Sequence, residues 1–238
     1  MKGGKKLSFH RRIYKFFKYR ILKLLIFRKN RPTILKIRDR YLVVLPNVFH
    51  PGLYNTSVHF AESIDKANIR EDDYVLDLGT GSGIGAVFAA KYSKHVIATD
   101  INPFAVECAR ANAALNSSSN KIDVRLGSMF DPVKNEKFDL ILYTPPFYMG
   151  KPKDWHERAF RGGEDEDHVC HIFFKDVSKH LKPNGRVKML WSIIADYPDM
   201  EKRLEENNLM VKKIEKKDNI TEIILIYELR TRENNFEN

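Results

Sequence analysis

Cysteine is scarce. Cys108 and Cys170 are the only two in 238 residues, and they form no CxxC pair. That excludes a disulfide framework and a zinc ribbon, and it fits a reducing cytoplasm. Long apolar runs are also missing. The apolar run near the N-terminus is broken by Lys23 and is far shorter than the ~20 residues a spanning helix needs. A signal peptide fits poorly because no small-residue cleavage site follows. Internal repeats are absent. Acids are nearly absent from residues 1–40, where Asp39 stands alone against 15 Lys and Arg. The remaining 198 residues carry 26 basic and 30 acidic side chains, so the whole excess of +10 comes from one end.

That end divides the chain: a basic amphipathic arm over residues 1–33, a main body over 34–230, and a polar tail over 231–238. In the arm, Ile13, Phe16, Phe17, Ile21, Leu24 and Leu25 form an apolar stripe at helical spacing across Phe9–Phe27. Three readings stay open for it. It packs on the body as a solvated helix, its basic residues meet a nucleic-acid backbone through residues 1–40, or it lies on a membrane surface.

The 43% hydrophobic content is enough for a full core in one sizeable α/β domain. Ile34–Ile37 and Tyr41–Leu45 read as a hairpin around Arg38-Asp39-Arg40. Pro46–Gly52 is a loop rich in breakers, and Asn55-Thr56-Ser57 offers a cap for a helix to about Ala67. Further on come strands at Tyr74–Leu78, Val96–Asp100, Ile122–Leu126, Phe138–Tyr143 and Arg186–Trp191. An antiparallel pair at Leu209–Ile214 and Ile220–Leu229 closes the series. Helices are expected at Asn102–Asn116, Asp165–Leu181 and 197–207, with Val169, Ile172, Phe173 and Val177 facing inward, and a turn at Lys182–Gly185. The expectation is an α/β fold: a Rossmann-like, seven-stranded, mostly parallel sheet with an antiparallel closing hairpin, preceded by the basic helix and an N-terminal hairpin.

The stretch that organises the rest is Val75–Gly85. An apolar strand holding Asp77 runs into Gly79, Gly81, Gly83 and Gly85, and a helical pattern follows. Glycine lets the backbone turn with positive φ and lets a ligand approach closely, and the helix N-terminus behind it presents free N–H groups. A dinucleotide fingerprint can be forced here as Gly81-x-Gly83-x-x-Ala86. The Asp77-x-Gly79-x-Gly81-x-Gly83 register instead resembles motif I of the class I S-adenosylmethionine (SAM) methyltransferases. Asp100 ends the second strand, where an acid can hold both ribose hydroxyls in either enzyme class.

A second motif lies at strand four. Thr144-Pro145-Pro146-Phe147 ends that strand rigidly, since neither proline can donate to a sheet. It resembles the Asn/Asp-Pro-Pro-Tyr/Phe motif of methyltransferases that act on planar nitrogens, with Thr144 where an amide or acid is usual. The segment Trp155–Asp165, with Ala159 and Gly162-Gly163, is similar to one found in the release-factor glutamine methyltransferases. The resemblance covers residues 41–229 and extends to the wider small methyltransferase domain group, which includes rRNA and tRNA base methyltransferases.

That resemblance implies SAM as cofactor, held by Asp77, Gly79, Thr80, Gly81, Gly83, Asp100 and Ile101. Ser128 and Met129 would flank the adenine, with Ser128 replacing the usual acid or amide. It implies N-methylation of a macromolecule, an RNA or a translation protein, at Thr144, Pro145, Pro146 and Phe147. Phe49, Tyr148, Trp155, Arg158 and Arg161 are candidates for the substrate rim, and His50, Tyr54 and Thr56 for a loop closing over the cofactor. Two other functions stay open: a small-molecule methyltransferase, and a non-catalytic module docking to RNA or membrane through its arm. No metal is required. His168 and His171 stand three apart around Cys170, which fits a partly exposed helix face better than a metal site.

Overall fold

The computed structural model describes residues 31–232 apart from 55, 68, 196, 199 and 219–222, together with Ile13, Phe17 and Ile21. The chain builds β1 (Thr33–Ile37), β2 (Arg40–Val44), α1 (Pro51–Tyr54), α2 (Thr56–Glu62), β3 (Tyr74–Leu78), α3 (Ile84–Ala89), β4 (His95–Asp100) and α4 (Pro103–Leu115). It continues through β5 (Ile122–Leu126), β6 (Phe138–Tyr143), α5 (Trp155–Arg158), α6 (Val169–Asp176), β7 (Leu181–Ser192), α7 (Met200–Glu206), β8 (Leu209–Asp218) and β9 (Ile223–Thr231).

β1 and β2 form a two-stranded antiparallel sheet. The other seven strands form one sheet in the order β5-β4-β3-β6-β7-β9-β8. The first five are parallel, and β9 runs antiparallel to both its neighbours. The expected fold is therefore present. Strand alternation sends Val75, Val96 and Leu140 to one face, where they meet Phe60, Val87 and Val106. Leu76, Ile97 and Ile141 go to the other, where they meet Phe173 and Leu204. From β3 the chain winds outward through β4 and β5, then returns to place β6 on β3's other side. The strand order reverses between β3 and β6, and clefts open at the carboxyl ends of strands at such a switch point.

Asn112, fully buried on α4, ties the small hairpin to this region. Val43 N–H donates to its Oδ1 at 2.7 Å, while its Nδ2 donates to the carbonyls of Val43 and Ser82, each at 2.7 Å. One amide thus replaces a strand partner for β2 and grips the glycine turn.

Several boundaries differ from the sequence expectation. The breaker-rich loop runs into α1, and α2 stops at Glu62 rather than near Ala67. The expected helix Asp165–Leu181 is α-helical only as α6, because His168 takes extended backbone (φ −68°, ψ 130°) and caps it. The buried face of this segment is Cys170, Phe173, Phe174 and Val177, whereas Val169 and Ile172 are half-buried. Lys182–Gly185 is not a terminal turn but a bulge inside β7, since Phe138 pairs with Leu181 and Leu140 with Arg186. Gly185 suits it, because a Cβ there would stand 2.8 Å from two carbonyl oxygens. The helix expected over 197–207 is the shorter α7, and β8 extends past Ile214 to Asp218.

The rest of the arm, the tail beyond Arg232, Asn55 and the side chain of Tyr54 lie outside the described residues. Ile13, Phe17 and Ile21 have helical backbone, and each is exposed. Among the described residues no helix is long and apolar enough to cross a membrane.

Candidate active site

At the switch point the sequence places two sharp turns side by side. β3 ends in the glycine turn, and Gly79, Gly81 and Gly83 take φ of 68°, 56° and 81°. β6 ends in Thr144-Pro145-Pro146-Phe147. Leu78 pairs with Tyr143, so the last paired residues of the two strands are neighbours. Both turns open onto one cavity of about 600 Å³, within the size range of small-molecule sites.

The glycine turn is held from beneath by Asp77. Its Oδ2 accepts from Thr80 Oγ1 at 2.5 Å and from Ala86 N–H at 2.8 Å. The carboxylate is buried, and a Cβ on Gly85 would come within 2.6 Å of it. Asp77 borders the cavity, yet this oxygen is spent on fixing the turn to α3. Burial pushes its carboxyl up to about 6, against the pull of the Thr80 and Ala86 hydrogen bonds. A carboxyl raised in the fold stabilises the fold below its unfolded pKa of 3.8, and that contribution is lost as pH rises through about 6. The span corresponds to about 3 kcal/mol at ~1.4 kcal/mol per unit. Asp77→Asn cannot titrate, so its stability relative to wild type should rise by that order between about pH 4 and pH 7. Urea unfolding at both pH values checks this; a constant difference would mean Asp77 does not carry a buried charge.

Asp100 closes the other side of the turn. Its Oδ2 accepts from Gly81 N–H at 2.8 Å and its Oδ1 from Asn102 N–H at 2.9 Å. Burial raises its pKa; the hydrogen bonds from Asn102, Gly81 and Ile101 oppose that. Asn102 also caps α4, accepting from Phe104 N–H at 3.0 Å, and donates to the carbonyl of Asn47 at 2.8 Å, so the loop before α1 is fastened to the cofactor side.

A Cβ built on Gly79 or Gly81 would meet no atom within 4 Å, so both face open space. Gly83 does not border the cavity. A Cβ there would stand 2.8 Å from Ala109 Cα, so its smallness serves packing against α4 rather than ligand contact. Thr80, Ile101, Ser128 and Met129 border the cavity. An acid at a strand end, an open glycine turn and an adjacent apolar shelf fit the ribose, amino-acid and adenine parts of SAM.

On the acceptor side Thr144, Pro145, Pro146, Phe147 and Tyr148 border the same space. The ring of Phe147 is braced edge-on by Trp191 at 5.9 Å. Phe49, Trp155, Arg158 and Arg161 also border it. Phe49 packs on Phe160 at 5.4 Å, Arg158 lies over Trp155 at 5.6 Å, and Arg161 Nη1 donates to the carbonyl of Met149 at 2.6 Å. Of the closing-loop candidates, Thr56 borders the cavity. Leu53 and Phe60 beside it do so too, and as ordinary apolar residues they carry no sequence signal of that place. His50 does not border it: it is buried, with Nε2 and Thr33 Oγ1 2.8 Å apart, and burial lowers its pKa. His168 is buried, while His171 pairs with Glu166 at 2.5 Å. Among the described residues no cluster of three His, Cys, Asp or Glu has metal-binding geometry.

The family model described as "Methyltransferase small domain" matches residues 40–221. A protein of Methanocaldococcus jannaschii provisionally named a protein N5-glutamine methyltransferase is 30% identical over 168 residues, 68% of this chain and 81% of the relative. A tRNA adenine-N6 methyltransferase of Porphyromonas gingivalis is 31% identical over 49% of each chain. The chain spans only 27% to 49% of that and three further curated relatives. Among solved structures, a tRNA m1G37 methyltransferase of M. jannaschii superposes with a TM-score of 0.57 at 21% identity, covering 85% of this chain and 55% of that one.

Proposed function

The chain belongs to the methyltransferase small domain family, and on that premise we propose that it transfers a methyl group from SAM to a planar nitrogen of a macromolecule, in the first reading the side-chain amide of a glutamine in a protein. One observation carries this: the glycine turn after β3 and the proline corner after β6 open onto the same cavity. When bound, SAM supplies an electrophilic methyl group on a sulfonium.

The protein's own task is then to hold and orient. Asp100 is assigned to the ribose hydroxyls, Gly79 and Gly81 to the amino-acid part, and Ile101, Ser128 and Met129 to the adenine. An amide nitrogen is a poor nucleophile because its lone pair is delocalised. Thr144 Oγ1 and the Pro145 carbonyl are assigned to accept its two N–H bonds, which turns the lone pair toward the methyl. Phe147 supplies the flat wall. Positioning and fixed dipoles provide most of the gain.

A protein acceptor is favoured by the N5-glutamine relative, of which this chain covers 81%. The second reading is an exocyclic amine of an RNA base, and the basic residues 1–40 favour it. The test is methyl-labelled SAM with cell extract, followed by protease or RNase. Label released by protease alone is expected. Label released by RNase establishes the second reading, and no label in either fraction refutes both.

A further inference from the structure

We propose that His168 is the positioning residue of the acceptor side: its imidazole pins the strap that carries Phe147 and Tyr148, and so fixes the proline corner against the glycine turn. The inference rests on the methyl-transfer reading only for its effect on turnover. The strap is a fold-back. After Pro146 the chain runs outward to Gly150, passes through α5, and returns at Phe160–Gly163 alongside itself. Tyr148 N–H donates to Phe160 O at 2.8 Å, Gly162 N–H to Tyr148 O at 2.9 Å, and Gly150 N–H to Gly163 O at 2.8 Å. That is a narrow ladder, too short to be stable in water unaided.

His168 sits fully buried behind it, packed on the Tyr197 ring at 4.5 Å. Its Nδ1 accepts from Cys170 N–H at 3.2 Å and so caps α6. A ring nitrogen that accepts carries no proton, so in the neutral ring the proton is on Nε2. Nε2 lies 3.4 Å from the carbonyl of Tyr148 and points its N–H at it, a long contact beyond the ~3.2 Å usual for N–H···O. Val169 N–H donates to Gly162 O at 2.9 Å, fastening the same corner. The ring also explains Gly162, where a Cβ would stand 2.5 Å from Nε2. Two nitrogens on opposite edges of one rigid ring let a single side chain bridge a helix start and a loop carbonyl. Asparagine reproduces only the Nδ1 position, and glutamine only Nε2.

That asymmetry supplies the test, made on the full chain. His168→Asn keeps the cap and loses the strap contact. Amide exchange across residues 147–163 should quicken roughly tenfold, about the worth of one hydrogen bond. Methyl transfer from labelled SAM to extract should fall by a similar factor, with the Kd for SAM unchanged. His168→Gln should melt lower, through loss of the cap, yet keep near-native exchange in the strap and recover turnover. Gly162→Ala, which displaces the ring without removing it, should loosen the strap as His168→Asn does. If strap exchange simply follows melting temperature in both His168 variants, or is unmoved by Gly162→Ala, His168 supports the fold and positions nothing. If the exchange pattern appears but the wild-type chain transfers no methyl, the anchor stands and the methyl-transfer reading falls.

Discussion

Asp100→Ala should lose SAM affinity by at least about a hundredfold in calorimetry, leaving little or no measurable binding. One oxygen of this carboxylate accepts from Gly81 N–H at 2.8 Å and the other from Asn102 N–H at 2.9 Å, with Ile101 N–H a third backbone donor. The carboxylate borders the cavity at the end of β4. Hydrogen bonds to a charged group contribute about 1.5–3 kcal/mol each. Losing two to the ribose hydroxyls therefore removes roughly 3–6 kcal/mol, and the freed Gly81 N–H adds the cost of a slackened turn. Asp100→Asn separates the contributions. It keeps one acceptor but gives up the charge and one backbone bond, so its affinity should fall between the two. Calorimetry showing wild-type affinity in the alanine variant would remove Asp100 from the ribose site, even if turnover changed.

Asp100 is legible in the sequence because its signal is local. An apolar strand ending in an acid, 19 residues after Gly81, needs no knowledge of the tertiary fold to be noticed. The same holds for the glycine turn and for Phe138–Tyr143, whose strand bounds match. The central strands β3 and β4 are legible because a strand buried on both faces leaves a nearly continuous apolar run, which turn chemistry then punctuates, whereas the edge strand β5 alternates buried Ile122 and Val124 with exposed Asp123.

What the sequence hides depends on contacts distant along the chain. Asn112 reads as one more polar residue on the packed face of a helix, and nothing local announces that it serves Val43 and Ser82, 69 and 30 residues away. The strap is invisible because its two rungs are single bridges flanking a helix, with no alternation to reveal them. Helical periodicity runs on from Asp165 to Leu181 because the residues that break the helix at its start, Asp165 (φ 44°) and His168, are not obvious breakers in sequence. Gly83 misleads in the other direction. It fits the motif's ligand-facing pattern, but its requirement comes from Ala109 on α4.

Thr144 stands where the motif it resembles has an amide or acid, and its variants should show the largest effect on turnover. Thr144→Ala should cut methyl transfer by about a hundredfold, the usual cost of removing one preorganised polar group from a transition state. The Kd for SAM should stay nearly unchanged, because the cofactor's assigned contacts lie on β3, β4 and the turn after β5. The residue's place is well determined. Tyr143, just before it, is paired with Leu78 on one side and Met189 on the other, and Pro145 just after it fixes its own φ. A half-buried side chain so constrained presents its hydroxyl in a narrow range of positions. Thr144→Val keeps the shape and removes the oxygen, so it should behave as the alanine variant does. Thr144→Asn supplies a longer acceptor without a hydroxyl proton to place, and it should retain activity. Single-turnover transfer from saturating labelled SAM separates these outcomes from any change in cofactor binding. If Thr144→Val transfers methyl at the wild-type rate, the hydroxyl accepts nothing from the substrate, and the backbone carbonyl of Pro145 must orient the nitrogen alone.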